Sequence, residues 1–336
     1  MIQSGRNAII SGLGKGLPKR CVSNEELSRW VDTSDEWIRS HTGIESRYLA
    51  SEGETCSSLG ILASEEAMTQ AGVKPDEIDM VITATSTPDY RAFPSTACLI
   101  QEALGLNRAG AFDVSAACSG FSYALETARS FILSGTAEHV LVAGSEVFSS
   151  LLNWKDRNTC VLFGDGAGAA VLSRTDDDSR GIGFSRLKAE GAGKDALIIP
   201  RGGTAAPVTP AWLSETEDFS SMYMNMDGRK VYEFAVRVLV ETIEHLTEQA
   251  GITGEEIDFI VPHQANIRIL QAASKRSGIP FEKFFINLHK YGNTSAATIP
   301  MALCDMDRAG LLKKGQKIIT VGFGAGLTYG GNYIVW

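Results

Sequence analysis

The chain has 336 residues, 44% hydrophobic and 21% charged, which is ordinary globular composition and enough length to bury a sizeable core. Collagen, coiled coil and disordered tail are thereby excluded. The net charge of −9 argues against nucleic-acid binding, which needs a basic footprint, and no apolar run approaches the roughly 18 residues of a membrane span.

Residues 1–10 lack the basic-then-apolar pattern of a secretory signal. Residues 57–71 predict a helix ended by Gly72, 80–85 a buried strand, and 95–104 a helix after Pro94. A short strand over 111–114 runs into a helix over 119–133, and 140–143 is another strand. The polar run 173–180 reads as a solvated linker. Beyond it come a long helix over 231–249, a strand over 259–261, helices over 266–276 and 295–308, and a strand over 317–321. This alternation points to α/β layers with sheets covered on both faces.

The second half echoes the first. Residues 71–81 match 250–260 at an offset of 250 − 71 = 179. Residues 141–144 match 319–322 and 122–125 match 300–303, at 319 − 141 = 178 and 300 − 122 = 178. Three matches near one offset indicate a duplication, with a period far too long for a solenoid. The predicted halves are residues 1–175 and 176–336.

Six cysteines, Cys21, Cys56, Cys98, Cys118, Cys160 and Cys304, include no CxxC pair and no Cys/His zinc spacing, so no metal site is expected. Scattered unpaired cysteines suit a reducing cytoplasm, and most are expected to pack as small buried hydrophobes. Cys118 differs. It follows a predicted strand and a run of small residues and opens a predicted helix. Helix-end N–H groups favour thiolate and can bind an oxyanion. A buried structural cysteine in a tight turn fits the same segment. His263 also lies between a strand and a helix, where the dipole favours neutral imidazole, a donor or base; a core or capping histidine is the plainer alternative. His41, His139, His245 and His289 have no comparable setting. Asn293 begins the 295–308 helix, either as an ordinary cap or as an amide donor aimed at an oxyanion. The glycine runs 12–16 and 322–326 are weak as dinucleotide and phosphate loops, the latter because no Lys-Ser/Thr follows. The reactive candidates all follow strand C-terminal ends, where α/β sheets form their ligand crevice.

Together the segments 31–38, 92–95, 112–121, 163–168, 262–266, 292–297 and 321–327 make the chain resemble, end to end, the β-ketoacyl-acyl carrier protein synthase III family, the initiating condensing enzymes of type II fatty acid synthesis. The resemblance implies a thiolase-like fold, duplicated halves in a five-layered α/β/α/β/α architecture. It implies a triad of Cys118, His263 and Asn293, an oxyanion hole from the N–H groups of Cys118 and Ala325, and no cofactor. The substrates would be a short acyl-CoA and malonyl-acyl carrier protein. Thiolases place a second cysteine in the final loop and elongating synthases a second histidine at Asn293; this chain has neither. Thr33, Trp37, Arg157, Gly228 and Asn266 would line the CoA channel, with the Trp37 ring on the adenine and Arg157 beyond it. His41 stands where members often carry an arginine for a CoA phosphate. Phe93 would close the acyl pocket from across a homodimer interface and restrict the primer to acetyl or propionyl size. Arg268, Lys275 and Arg276, in a stretch free of acids, would dock the acidic carrier; a solvated helix face is the alternative. A related condensing enzyme of secondary metabolism and a Cys-His-Asn thioester hydrolase remain as other readings.

Overall fold

A computed structural model gives the structure of residues 7–336. The secretory-signal expectation therefore lies, for residues 1–6, outside the described residues. Among the described residues, no helix is long and apolar enough to cross a membrane.

Two sheets share one plan. The first runs in the order Asn7–Gly16, Gly166–Thr175, His139–Glu146, Met80–Ala84, Gly110–Val114. Its first two pairings are antiparallel and its last two parallel. The second runs Gly181–Ala189, Thr328–Val335, Lys317–Gly324, Phe259–Pro262, with two antiparallel pairings and then a parallel one. Its fifth position shrinks to a single parallel bridge, Ile260 to Phe284. Corresponding strands begin at Met80 and Phe259 and at His139 and Lys317, offsets of 259 − 80 = 179 and 317 − 139 = 178. The duplication read from the sequence is the architecture of the molecule.

Helices Gly120–Leu133 and Thr298–Arg308 pack against strands of both sheets and form the middle layer. Both are apolar on more than one face, burying Phe121, Leu125 and Ile132 in one and Ile299, Leu303 and Met306 in the other, as a helix between two sheets requires. Cys56–Ala71 and Thr96–Ala103 cover the outer face of the first sheet. Gly228–Ala250 covers the second, with Ile267–Ser277 packed against it. The result is five layers, α/β/α/β/α.

Predicted helices and parallel strands fall within a few residues of the observed ones. The antiparallel strands Asn7–Gly16, Gly166–Thr175, Gly181–Ala189 and Thr328–Val335 were not legible, because each carries glycines that strand propensity disfavours. The first shows why they are there. A Cβ on Gly12, Gly14 or Gly16 would stand 2.2, 2.0 or 2.2 Å from the carbonyl oxygens of Ala67, Ala63 and Leu59. Alternate residues share a strand face, so these three glycines form a bare stripe on which helix Cys56–Ala71 lies. The 12–16 run is thus a packing surface. The linker is also shorter than expected: Ser173–Thr175 still belong to a strand, leaving 176–180 to cross between the sheets.

Gly14→Ala is expected to destabilise the fold by about 3 kcal/mol, the upper range for an overpacked core, because its clash is with helix backbone. Denaturant unfolding checks this, and a loss under about 0.5 kcal/mol would contradict it.

Candidate active site

Each middle-layer helix is preceded by a tight turn, and the two turns face each other. Cys118 sits in the 3-10 turn Ala117–Ser119 before Gly120–Leu133. Ser295–Ala297 is the equivalent turn before Thr298–Arg308, where a continuous helix was predicted. Ala117 (φ 46°) and Ser295 (φ 51°) are both left-handed, at an offset of 295 − 117 = 178. Neither is glycine, so each costs about 1–3 kcal/mol. Such strain is met where a side chain must be aimed.

The Cys118 thiol is buried. Burial pushes it up to about 12, with the Ser295 side chain pulling weakly the other way. Loss of solvation thus works against the thiolate that helix-end N–H groups favour. A Cβ on Gly324 would lie 2.8 Å from the Cys118 nitrogen and 3.3 Å from its sulfur. The 322–326 glycines thus let strand Lys317–Gly324 press on the cysteine turn.

His263 is also buried, and burial lowers its pKa to about 3. The cause differs from the expected one. Helix Ile267–Ser277 starts only after its cap Asn266, so His263 lies before it, and loss of solvent is the cause of the shift. The His263 Nδ1 lies 2.7 Å from Thr298 Oγ1, which is 2.9 Å from the Ser295 carbonyl. That hydroxyl has one hydrogen. Given to Ser295, it leaves the ring hydrogen on Nδ1 and Nε2 as a base; turned to Nδ1, it leaves Nε2–H as a donor. Asn293 Oδ1 accepts from Ser295 N at 2.8 Å. Its oxygen is thereby committed and its –NH2 left to donate.

Cys118, His263 and Asn293 line a single cavity of about 240 Å³, walled by residues such as Phe163, Phe234, Phe323 and Leu327. Trp37, Gly228 and Asn266 line it too, as does His41. Trp37 projects from helix Asp35–Thr42, and His41 one turn on stacks against it at 4.4 Å and 15°. The Arg157 guanidinium stands 5.0 Å from the Trp37 ring and bonds to the Asp32 carbonyl at 3.1 Å. Asn266 caps its helix and donates to the His41 carbonyl at 3.1 Å. Thr33 is outside the cavity lining, and its buried hydroxyl has no hydrogen-bond partner. Ala325 is not a lining residue either, although Gly324 before it is.

Two family descriptions match the chain: 3-oxoacyl-[acyl-carrier-protein] synthase III over residues 112–191, and its C-terminal part over 247–336. A β-ketoacyl-[acyl-carrier-protein] synthase III of Clostridium acetobutylicum is 47% identical over 327 residues, 97% of this chain and 98% of that protein. The chain belongs to the β-ketoacyl-acyl carrier protein synthase III family. The crystal structure of a 3-oxoacyl-[acyl-carrier-protein] synthase III from Aquifex aeolicus VF5 superposes with a TM-score of 0.89 at 43% identity, covering 98% of this chain and 100% of that one. A priming β-ketosynthase of the R1128 polyketide pathway superposes equally, at 0.89, with 36% identity and coverage of 100% and 98%.

The synthase III fold leaves other expected residues outside the cavity. Phe93 is 85% exposed and touches no part of its own chain's cavity. Arg268, Lys275 and Arg276 lie exposed on helix Ile267–Ser277, whose N-terminal residues Ile269 and Asn266 line the cavity. Arg268 donates to the Ser40 carbonyl at 2.9 Å, tying this helix to the Trp37 helix. Of the cysteines, Cys56, Cys160 and Cys304 are buried with Cys118, while Cys21 and Cys98 are exposed. Sequence reasoning missed Thr298 and Glu146. Thr298 lies one turn into a helix whose start was misplaced. Glu146 ends strand His139–Glu146, which was cut short at residue 143, so its position at a strand C-terminal end went unseen.

A buried ring with a lowered pKa binds its proton more readily in the unfolded chain. Stability is then complete above the unfolded value of about 6.5 and declines by about 1.4 kcal/mol per pH unit toward pH 3. His263→Gln should flatten that slope in denaturant unfolding measured from about pH 4 to 7. An unchanged slope would show that His263 is not the neutral buried group.

Proposed function

We propose that this chain catalyses the decarboxylative Claisen condensation of a short acyl-CoA, acetyl-CoA first among them, with malonyl-acyl carrier protein. The products are 3-oxoacyl-acyl carrier protein, CoA and CO2, and the reaction initiates fatty acid synthesis. The single observation that carries the reading is one apolar cavity lined together by a buried thiol, a neutral imidazole and a free amide donor.

In the first stage the Cys118 thiol gives its proton to His263 Nε2 as the sulfur attacks the acyl thioester. The CoA sulfur takes that proton as it leaves, so the ring is charged only in passing. The N–H groups of Cys118 and Ala325 are the proposed donors to the tetrahedral oxyanion; the Gly324–Cys118 contact supports the pairing. In the second stage the malonyl carboxylate departs as CO2, and its electron pair forms the enolate that attacks the acyl-cysteine. Decarboxylation creates the carbanion, so no strong base is needed. Neutral donors on the enolate oxygen suffice: the Asn293 –NH2, and His263 with its hydrogen on Nε2. This chemistry requires no resident metal or redox cofactor.

Trp37, Arg157, Thr33, Gly228 and Asn266 are the proposed CoA contacts. The unpartnered Thr33 hydroxyl and the open space beside Gly228 support this. With His41 against Trp37 and Arg157 only 5.0 Å from the ring, adenine stacking requires one of them to move. The exposed Phe93 and the edge strand Gly110–Val114 support a homodimer in which Phe93 closes the partner's acyl pocket. Residues 1–175 and 176–336 are the proposed halves, and the cytoplasm the proposed location. Arg268, Lys275 and Arg276 are the proposed carrier-docking residues.

Intact mass after mixing with acetyl-CoA should show one acetyl group on Cys118, cleared by malonyl-acyl carrier protein with acetoacetyl-carrier formed. Release of free acetate instead would favour a hydrolase, and loading without condensation a different acceptor. Asn293→Ala should lower condensation by about 10²-fold or more while acetyl loading persists. Arg268→Glu should raise the KM for malonyl-carrier and spare loading; equal loss of both steps would count against docking. Acetyl-CoA should be preferred to dodecanoyl-CoA as primer, and the reverse preference would remove Phe93 from the acyl pocket.

A further inference from the structure

We infer that Arg47 is a positioning residue for the condensation step: it fixes the stretch of backbone, residues 161–164, that holds Asn293 at the cavity wall. The inference rests on the condensation reading above, which gives the Asn293 amide its work in the second stage alone.

Arg47 lies on the short strand Ser46–Leu49 and is fully buried. Burial draws its pKa down to about 10, so it keeps its charge at neutral pH. A buried charge is costly unless its donors are used. Its guanidinium bridges two acceptors. Nη2 donates to the Val161 carbonyl at 2.8 Å and Nη1 to Asn24 Oδ1 at 2.7 Å. Asn24 is itself fully buried, and its Nδ2 donates to Asp35 Oδ1 and to the Ile44 carbonyl, each at 2.8 Å. The planar fork thus pins Val161 to a framework that is already tied down. The neighbours of Arg47 grip the same stretch. The Tyr48 carbonyl accepts from Asp165 N at 2.8 Å, and Ala50 N donates to Asp165 Oδ2 at 2.7 Å.

The pinned stretch holds Asn293 by both of its backbone groups. Asn293 N donates to the Leu162 carbonyl at 2.8 Å, its carbonyl accepts from Gly164 N at 3.0 Å, and Phe163 forms a parallel bridge with it. The fit is close: a Cβ on Gly164 would stand 2.5 Å from the Tyr291 carbonyl and 3.0 Å from the Arg47 Cβ. Val161, Leu162, Phe163 and Asn293 all line the Cys118 cavity, and Arg47 stands behind them, outside the lining. The other two members of the proposed triad are held elsewhere. The His263 N–H goes to the Val321 carbonyl and its ring to Thr298, while Gly324 presses on Cys118. Loosening Arg47 therefore moves the amide and leaves the thiol and the imidazole in place. A misplacement of about 1 Å is enough to cost about 10²-fold in rate.

The test compares Arg47→Lys with wild type in two assays: single-turnover acetyl loading at saturating acetyl-CoA, and steady-state 3-oxoacyl formation with malonyl-acyl carrier protein. Lysine keeps the charge but lacks the fork that spans both acceptors. Turnover should fall about tenfold or more, and loading should stay within about threefold. The deciding readout is the same substitution made in Asn293→Ala. A residue that acts through Asn293 has nothing left to position there, so the double variant should turn over within about twofold of Asn293→Ala. Where Arg47→Lys does not fold, Arg47→Met, which keeps an unbranched stem against Gly164 and buries no charge, should show the same pattern. Unchanged turnover, equal slowing of loading and turnover, a further loss of about tenfold in the Asn293→Ala background, or failure of both variants to fold overturns the positioning role. An Asn293→Ala that turns over like wild type, or a wild type that loads but forms no 3-oxoacyl product, overturns the condensation reading instead.

Discussion

The site depends on a reciprocal contact between the halves. Gly144, in the strand of the first half, meets the turn of the second: a Cβ there would stand 2.4 Å from the Ala296 carbonyl. Gly322, its counterpart at 322 − 144 = 178, meets the turn of the first, 2.8 Å from the Ser119 Cα. Each sheet thus presses a bare stretch of backbone onto the helix start that the other half's chemistry uses. The close fit holds Ala117 and Ser295 in conformations an isolated chain would leave. It also sets Cys118 and Asn293 in one cavity, although 175 residues separate them (293 − 118 = 175). His263 joins them from just past the C-terminal end of strand Phe259–Pro262, its N–H donating to the Val321 carbonyl of the same pressing strand.

Dryness follows from that fit and decides the protonation states. The thiol is held up to about 12 and the imidazole down to about 3 by the same loss of solvent. The resting pair is therefore uncharged. In the proposed reaction a nucleophile forms only when a thioester is present to take the negative charge as the proton moves, which would protect the sulfur from idle reaction. The Thr298 rotor fits this economy. A single hydroxyl hydrogen, shared between a carbonyl and a ring nitrogen, would let one histidine be the proposed base in the first stage and the proposed donor in the second.

What was legible in the sequence divides along physical lines. Parallel strands and amphipathic helices announced themselves by period and by caps, as Thr55 and Gly72 do around Cys56–Ala71. The duplication was visible because both halves keep the same turn chemistry before their parallel strands. The glycine-bearing antiparallel strands were hidden, because their residues were selected for close approach and not for strand propensity. Cys118 and His263 stood out by position at strand ends and Asn293 by its place before a helix, and the neutral His263 expected there follows from burial. A linear sequence shows a helix end; it does not show how much water the fold removes. Thr298 escaped for a related reason: its contact with His263 is made only by the fold.

The placement of charge makes the last connection. The chain carries 40 acidic residues and a net charge of −9, yet no Asp or Glu lines the Cys118 cavity. A carboxylate there would oppose both the incoming malonyl group and the enolate it becomes, in a medium that screens poorly. The buried acid Glu146 lies outside that lining, its carboxylate accepting from Thr87 Oγ1 and Ser86 N. Cations are kept at the rim: Arg157 over Trp37 and Arg268 beside Asn266. In the proposed reaction anionic substrates would meet full charges at the mouth and neutral donors alone inside. In the proposed mechanism an interior cation would hold the malonyl carboxylate in place, whereas neutral amide and imidazole groups would let it leave as CO2 and stabilise only the charge that forms on the thioester oxygen.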